Sequence, residues 1–261
     1  MCALVFTAET PRTQRERREL LKFLENFSAF SLRSLRLRGE KPTLYPFEVY
    51  YPELNERGLL IMKEEIERTG LADLIQLACR LGASNAEVIS TSEISAEDDL
   101  ANLCKEPQCK NYGLAASCPP YVSGPSGFRE LLRNFKEAVV FKIEVPSEIL
   151  FSDERADIFR LLHEIAAGIE QSAVQAGYRN SKAYAGGSCK RLFCQDQPLC
   201  QKLGEGGKCR HPDHARPSMS GYGINVSKLM QAAGWTMKKA ARKPSPAMDS
   251  TGTVCGLVLI G

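Results

Sequence analysis

Seven cysteines gather in two short windows of this 261-residue chain: Cys104, Cys109 and Cys118, then Cys189, Cys194, Cys200 and Cys209. The windows span 15 and 21 residues and hold seven of the ten thiols. A thiolate is a soft ligand for zinc and for iron–sulfur clusters, and a disulfide partner where the compartment is oxidising. The N-terminus opens Met-Cys-Ala-Leu-Val-Phe, then turns charged, with no secretory core. The expected location is therefore the reducing cytoplasm, where clustered thiols serve as metal ligands more often than as structural disulfides. A chain of this length also builds an apolar core without covalent staples.

The spacing narrows the chemistry. Structural zinc sites present Cys-x2-Cys knuckles, because one tight turn then aims two thiolates at one ion. Neither window contains such a pair; the gaps of four, five and eight residues suit loops wrapped around a larger object, such as an iron–sulfur cluster. Four of the seven cysteines are followed directly by a base, Lys105, Lys110, Lys190 or Arg210, which would offset the negative charge of a thiolate centre. Gly113, Gly186, Gly187, Gly204, Gly206 and Gly207 would let backbone amides approach sulfur closely. Four cysteines complete a four-thiolate site; three do not. The first window therefore either borrows Cys79 or Cys255, which both read as core residues, or leaves one position open for chemistry. His211 and His214 follow the last cysteine and read as exposed loop residues, with ligation a secondary reading. Arg216 and Ser218, just before a helix near Asn225, are candidate cofactor-binding residues for a carboxylate or phosphate, although Arg216 could equally pin its loop.

The elements that must position these loops are legible in the periodicity. Leu71, Leu74, Ile75, Ala78 and Leu81 recur at helical spacing, with Gly82 as the stop. Residues 86–90 predict a short strand, and Phe128, Leu131, Leu132 and Phe135 a second helical stripe. Alternation of Val139, Phe141, Ile143 and Val145 predicts a half-buried strand ended by Pro146. Ser152 reads as the N-cap of a long helix that buries Ile158, Leu161, Leu162, Ile165, Ile169 and Ala173 and closes at Gly177. His163 falls off that stripe and reads as solvated. A strand near 182–185, a helix near 226–233 and a wholly apolar strand at 254–261 follow. Alternating strands and helices give an α/β or α+β fold, with a small mixed sheet, flanking helices and two cysteine-rich loops.

Composition excludes other classes. At 43% apolar and 25% charged residues the chain is neither fibrous nor disordered. No apolar run approaches the roughly 18 residues of a membrane-spanning helix, so no membrane partner is expected. The net charge of +3 belongs to residues 1–41, which carry nine basic against five acidic side chains; the other 220 sum to −1. Glutamates interrupt this basic run, and no aromatic-rich motif accompanies it, so nucleic acid is not the expected partner. Pro42, Pro46 and Pro52 then mark a linker. The expected domains are a basic helical arm with its linker over 1–61 and a cysteine-rich metal-binding domain over 62–261.

The stretch Cys-x4-Cys-x2-Tyr-Gly-x4-Cys-Pro-Pro at 104–120, with Cys-Arg-x-Pro-x-x-Ala-Arg-Pro-Ser-Met at 209–219, resembles a domain-of-unknown-function family of predicted metal-binding proteins. The resemblance runs from about Leu71 to Gly261; residues 1–60 have no counterpart in it. It implies metal binding through Cys104, Cys109, Cys118, Cys189, Cys194, Cys200 and Cys209, and no particular reaction. The resulting expectation is an iron–sulfur protein, with one or two clusters of the four-iron type, acting in electron transfer with a redox partner protein. A second reading is an enzyme whose open three-cysteine cluster acts as a Lewis acid on a small-molecule substrate. A third is a zinc-stabilised binding module.

Overall fold

The computed structural model describes residues 70–107, 109–204, 206–236 and 251–261. The expected arm and linker over 1–61, the boundary at Met62, Cys2, and the basic residues Lys238, Lys239, Arg242 and Lys243 lie outside the described residues.

Residues 70–80 form α1, which buries Leu71, Leu74 and Ala78 and ends at Gly82, where φ is +113°. Strand β1 (Asn85–Ser90) leads into a 3-10 turn whose Ser90 and Glu93 make a reciprocal capping box. Helices α2 (Asp98–Asn102) and α3 (Gly124–Leu132) flank the first cysteine window. Strand β2 (Glu137–Pro146) is followed by the short α4 (Ser147–Phe151) and the 21-residue α5 (Arg155–Gln175). Strand β3 (Lys182–Tyr184) precedes α6 (Cys189–Phe193), which opens the second window. Helix α7 (Val226–Ala232) and strand β4 (Thr251–Ile260) complete the described elements.

The four strands form one sheet in the order β1-β2-β4-β3, with every pairing antiparallel. The α/β character is as expected; a mixed sheet was the expectation, and all its pairings prove antiparallel. The apolar run at the end of the chain occupies a central strand, where both pleat faces are covered. Val139, Phe141 and Ile143 of β2, with Val258 and Ile260 of β4, face α1 and α5. Ala138, Val140, Leu257 and Leu259 face the opposite layer, built by α3 and α7. Each fully buried Val, Leu or Phe contributes about 1.5–3 kcal/mol, so the two faces together outweigh any single loop interaction. Phe141 sits opposite Gly256, and its ring covers the glycine so closely that a Cβ there would stand 2.2 Å from Phe141 Cζ.

Helix α5 buries Leu162, Ile165, Ile169 and Ala173 of the expected stripe, with Ile158 and Leu161 partly covered, and buries three residues more, His163, Ala166 and Ala167. His163, read as solvated, is fully buried. One flank of α5 faces the sheet, while another faces α6, where the Phe193 ring meets the imidazole edge-on at 5.7 Å. A helix covered on two flanks has a wider buried arc than a single apolar stripe indicates. The expected cap, Ser152, lies early: its hydroxyl accepts the Glu154 N–H, and the helix begins at Arg155.

Candidate metal centre

The two cysteine windows, 70 residues apart in sequence, are knitted together by backbone. Ala185 and Ser218 form an isolated parallel bridge, in which Ala185 N–H donates to Pro217 O and Met219 N–H to Ala185 O. The Ser218 N–H then donates to Ser117 O at 3.0 Å, which draws the first window onto this seam. Within that window successive turns carry the chain: Cys104 N–H bonds Ala101 O at the end of α2, Cys109 N–H bonds Cys104 O, and Cys118 N–H bonds Ala115 O.

Around this seam the seven thiols, all free, divide three and four. Cys104, Cys109 and Cys118 line a cavity of about 580 Å³, together with Phe159, Ser218 and Ile224 among others. Cys189, Cys194, Cys200 and Cys209 line a second cavity of about 20 Å³, with Phe193 and His211. The first volume falls in the range that holds small molecules; the second is on the scale of one water molecule. Among the described residues no three Cys, His, Asp or Glu side chains converge tightly enough to clasp a single ion. The thiols line their cavities rather than meeting at a point. Cys255 is buried within β4 in the sheet core, and Cys79 on α1 has a partner of its own, so both stand apart from the first cavity.

Burial is the leading influence on three of these thiols. It pushes Cys104 and Cys118 above the ordinary cysteine value, and Cys189 up to about 11. Neighbouring sulfurs add to the effect: Cys118 senses Cys109 and Cys200, and Cys189 senses Cys118, Cys209 and Cys200. The two groups are thus within electrostatic reach of one another. A donor set of three and four soft, partly desolvated thiols suits a cationic metal centre, which would reverse this cost by favouring the thiolates. These residues fit a thiolate-held metal group in chemistry.

Two of the bases that follow the cysteines, Lys190 and Arg210, hold loop backbone. Lys190 Nζ donates to Cys194 O at 2.7 Å and also to Gln197 O, while Arg210 donates to Leu199 O at 3.1 Å. The amide contact to sulfur that is present comes from His211 N–H to Cys209 Sγ at 3.4 Å. Gly186 and Gly207 likewise serve close packing, whereas Gly113 and Gly206 have open space around them and serve turns of positive φ. A Cβ at Gly186 would lie 2.8 Å from Phe159, and one at Gly207 only 1.8 Å from Gln201 O.

Arg216 is the pin for its loop. Its guanidinium meets the Glu170 carboxylate at 2.7 Å, and it also donates to Pro212 O and Ala215 O, at 8% side-chain exposure. It does not line the large cavity, whereas Ser218 does. Glu170 in turn accepts from Ala183 N–H at 2.7 Å, tying the loop to β3. His163 completes the brace. Its Nδ1 accepts Arg216 N–H at 3.0 Å, which leaves Nε2–H to donate to Gly186 O at 3.1 Å. Burial, with the nearby Arg216 cation, holds its pKa down at about 4, so the imidazole is neutral near pH 7. His211 and His214 stack on Phe193 at 5.7 and 6.2 Å between ring centres.

Behind Asn225, which lines the large cavity, Glu97 gathers Lys228, Asn225 and Ser95 around Oε1 at 2.8–2.9 Å. These bonds, Lys228 first, hold its carboxyl down at about 2. Gly223, at φ +64°, passes so close that a Cβ would sit 2.1 Å from Glu97 O. Sequence reasoning missed Glu97, Glu170, Phe193, Ser117 and Ser188. One signal was available: a Ser-Cys dipeptide occurs once in each window, at 117–118 and 188–189.

No curated protein and no solved structure matches the chain significantly. A family model does, over residues 87–260, a span that contains both cysteine windows and three of the four strands whole. Two thiol-lined cavities on a shared seam thus lie within the matched region, and the chain belongs to the family described as predicted metal-binding protein (DUF2284).

Proposed function

We propose that this chain is an iron–sulfur protein with two thiolate centres of unequal role. Cys189, Cys194, Cys200 and Cys209 hold a closed four-iron cluster for electron transfer, and Cys104, Cys109 and Cys118 hold a second centre with one position free. The observation that carries the reading is the gathering of seven free thiols into a group of four and a group of three, the three lining a cavity of about 580 Å³. Wide ligand gaps, with no Cys-x2-Cys pair in either window, support a cluster over a single zinc ion. Such a centre supplies one-electron redox change and, where an iron has a free position, a Lewis acid. The protein's own part is to bind and exclude. Phe159, Leu100, Leu103 and Ile224 give the large cavity apolar walls, and Asn111, Ser218 and Asn225 give it polar contacts for a small molecule.

Anaerobic reconstitution with iron and sulfide tests this directly. Acid-labile sulfide and broad visible absorbance at both centres are expected. Zinc as the sole metal, with colourless protein after faithful reconstitution, would overturn the assignment. A second reading, in which the open centre acts without redox change, is favoured by the size of the first cavity alone. Turnover of a bound small molecule with no electron donor present would establish it.

A further inference from the structure

The two windows meet through two copies of one dipeptide. Ser117 Oγ lies 3.0 Å from Cys189 Sγ, a thiol of the other window, and 3.8 Å from its own neighbour Cys118. In the opposite direction Cys118 Sγ donates to Ser188 Oγ at 3.3 Å. The contacts are crossed: each serine serves the cysteine of the other window. Both serines are also held in place. Ser117 O accepts Ser218 N–H, and Ser188, 5% exposed, follows two glycines packed against Phe159.

A metal-bound thiolate has no proton, so across either contact only the hydroxyl can then donate. Hydrogen bonds to ligating sulfur stabilise the thiolate and tune the affinity and potential of the centre. We propose that Ser117 and Ser188 are crossed positioning residues, with Ser117 tuning the four-thiol centre through Cys189 and Ser188 tuning the three-thiol centre through Cys118. The inference rests on the two-centre reading above and adds to it that neither centre is independent. Each receives a hydroxyl from the loop that carries the other.

Anaerobic titration of the full chain with iron and sulfide tests this, read by sulfur-to-iron charge-transfer absorbance. A Cys104→Ser/Cys109→Ser background isolates the four-thiol centre, and a Cys194→Ser/Cys200→Ser background isolates the other. Adding Ser117→Ala is expected to weaken iron binding about 10-fold at the four-thiol centre and less than about 2-fold at the three-thiol centre. Ser188→Ala is expected to do the reverse, and Ser117→Thr, which restores the hydroxyl, to recover the affinity. Effects confined to each serine's own chain neighbour, equal effects at both centres, or a threonine that behaves as alanine would overturn the crossed assignment. Absence of charge-transfer bands in both backgrounds with the serines intact would instead overturn the two-centre reading itself.

Discussion

The two thiol-lined cavities share a seam and differ in almost everything else. The second is small, and its walls are loop backbone drawn tight by Lys190 and Arg210 and by the Phe193–His211 stack. The first is about 580 Å³, and its walls come from helices and strand-end loops distant in sequence, including α2, Phe159 of α5 and the segment entering α7. A tight loop around four thiols suits a group that must not be displaced. A roomy cavity with three thiols and apolar walls suits exchange with something that comes and goes. One fold therefore lines a narrow and a roomy cavity with the same donor type, and the fuller set of thiols lies around the narrower one.

This contrast can be broken most severely through the ligands. Cys200→Ser is expected to abolish metal at the small cavity and to cost stability as well, because binding there is also loop folding. Cys109→Ser should abolish metal at the large cavity with much less effect on unfolding, since helices hold that cavity. Metal analysis with denaturant unfolding of both variants checks the asymmetry; equal losses of stability would erase it.

The brace between the cavities responds next, to acid. His163 is neutral in the fold with its pKa lowered from 6.5 to about 4. A depressed histidine contributes stability above about pH 6.5 that is lost as pH falls toward 4, by up to about 3 kcal/mol. His163→Leu should flatten that part of a stability–pH curve while lowering stability at neutral pH, because Gly186 O and Arg216 N–H lose their partner. An unchanged pH response in the variant would remove His163 as the origin.

Backbone substitutions sharpen which wall belongs to which cavity. Gly223→Ala places a Cβ against Glu97 O at positive φ, and more than about 1 kcal/mol should be lost on the large-cavity side. Gly207→Ala forces the loop away from Gln201 O and should lower metal affinity at the small cavity first. The smallest effect is expected at Glu97. Its carboxyl is held down at about 2, so its contribution is present above about pH 4.5 and fades as pH falls toward 2. Glu97→Gln should shift the thermal midpoint slightly at pH 7 and lose that difference in acid, as thermal melts across this range would show.

Much of this architecture was legible before any coordinates. The alternation in β2, the apolar run of β4 and the stripe of α5 each follow from local periodicity, and each element formed where the pattern placed it. The three-and-four division of thiols was also readable, because each group sits within one short window. What periodicity could not supply was tertiary cover. His163 looked solvated because its covering ring, Phe193, comes 30 residues later. Arg216 offered two readings from its loop alone, and Glu170, 46 residues earlier on α5, decided for the pin. The crossed serines needed both windows in one place. The sheet's hand of pairing likewise depends on the register of β4 between β2 and β3, which no single strand encodes.

The order of the sheet also sets a schedule. Strand β4 occupies a central place, yet it follows both cysteine windows along the chain. During synthesis all seven thiols leave the ribosome before the strand that joins β2 to β3 exists. The seam that brings the windows together therefore has no finished floor at that stage, and the thiols wait as unassembled ligands. Any group held where the two windows meet has its complete frame only once β4 is in place.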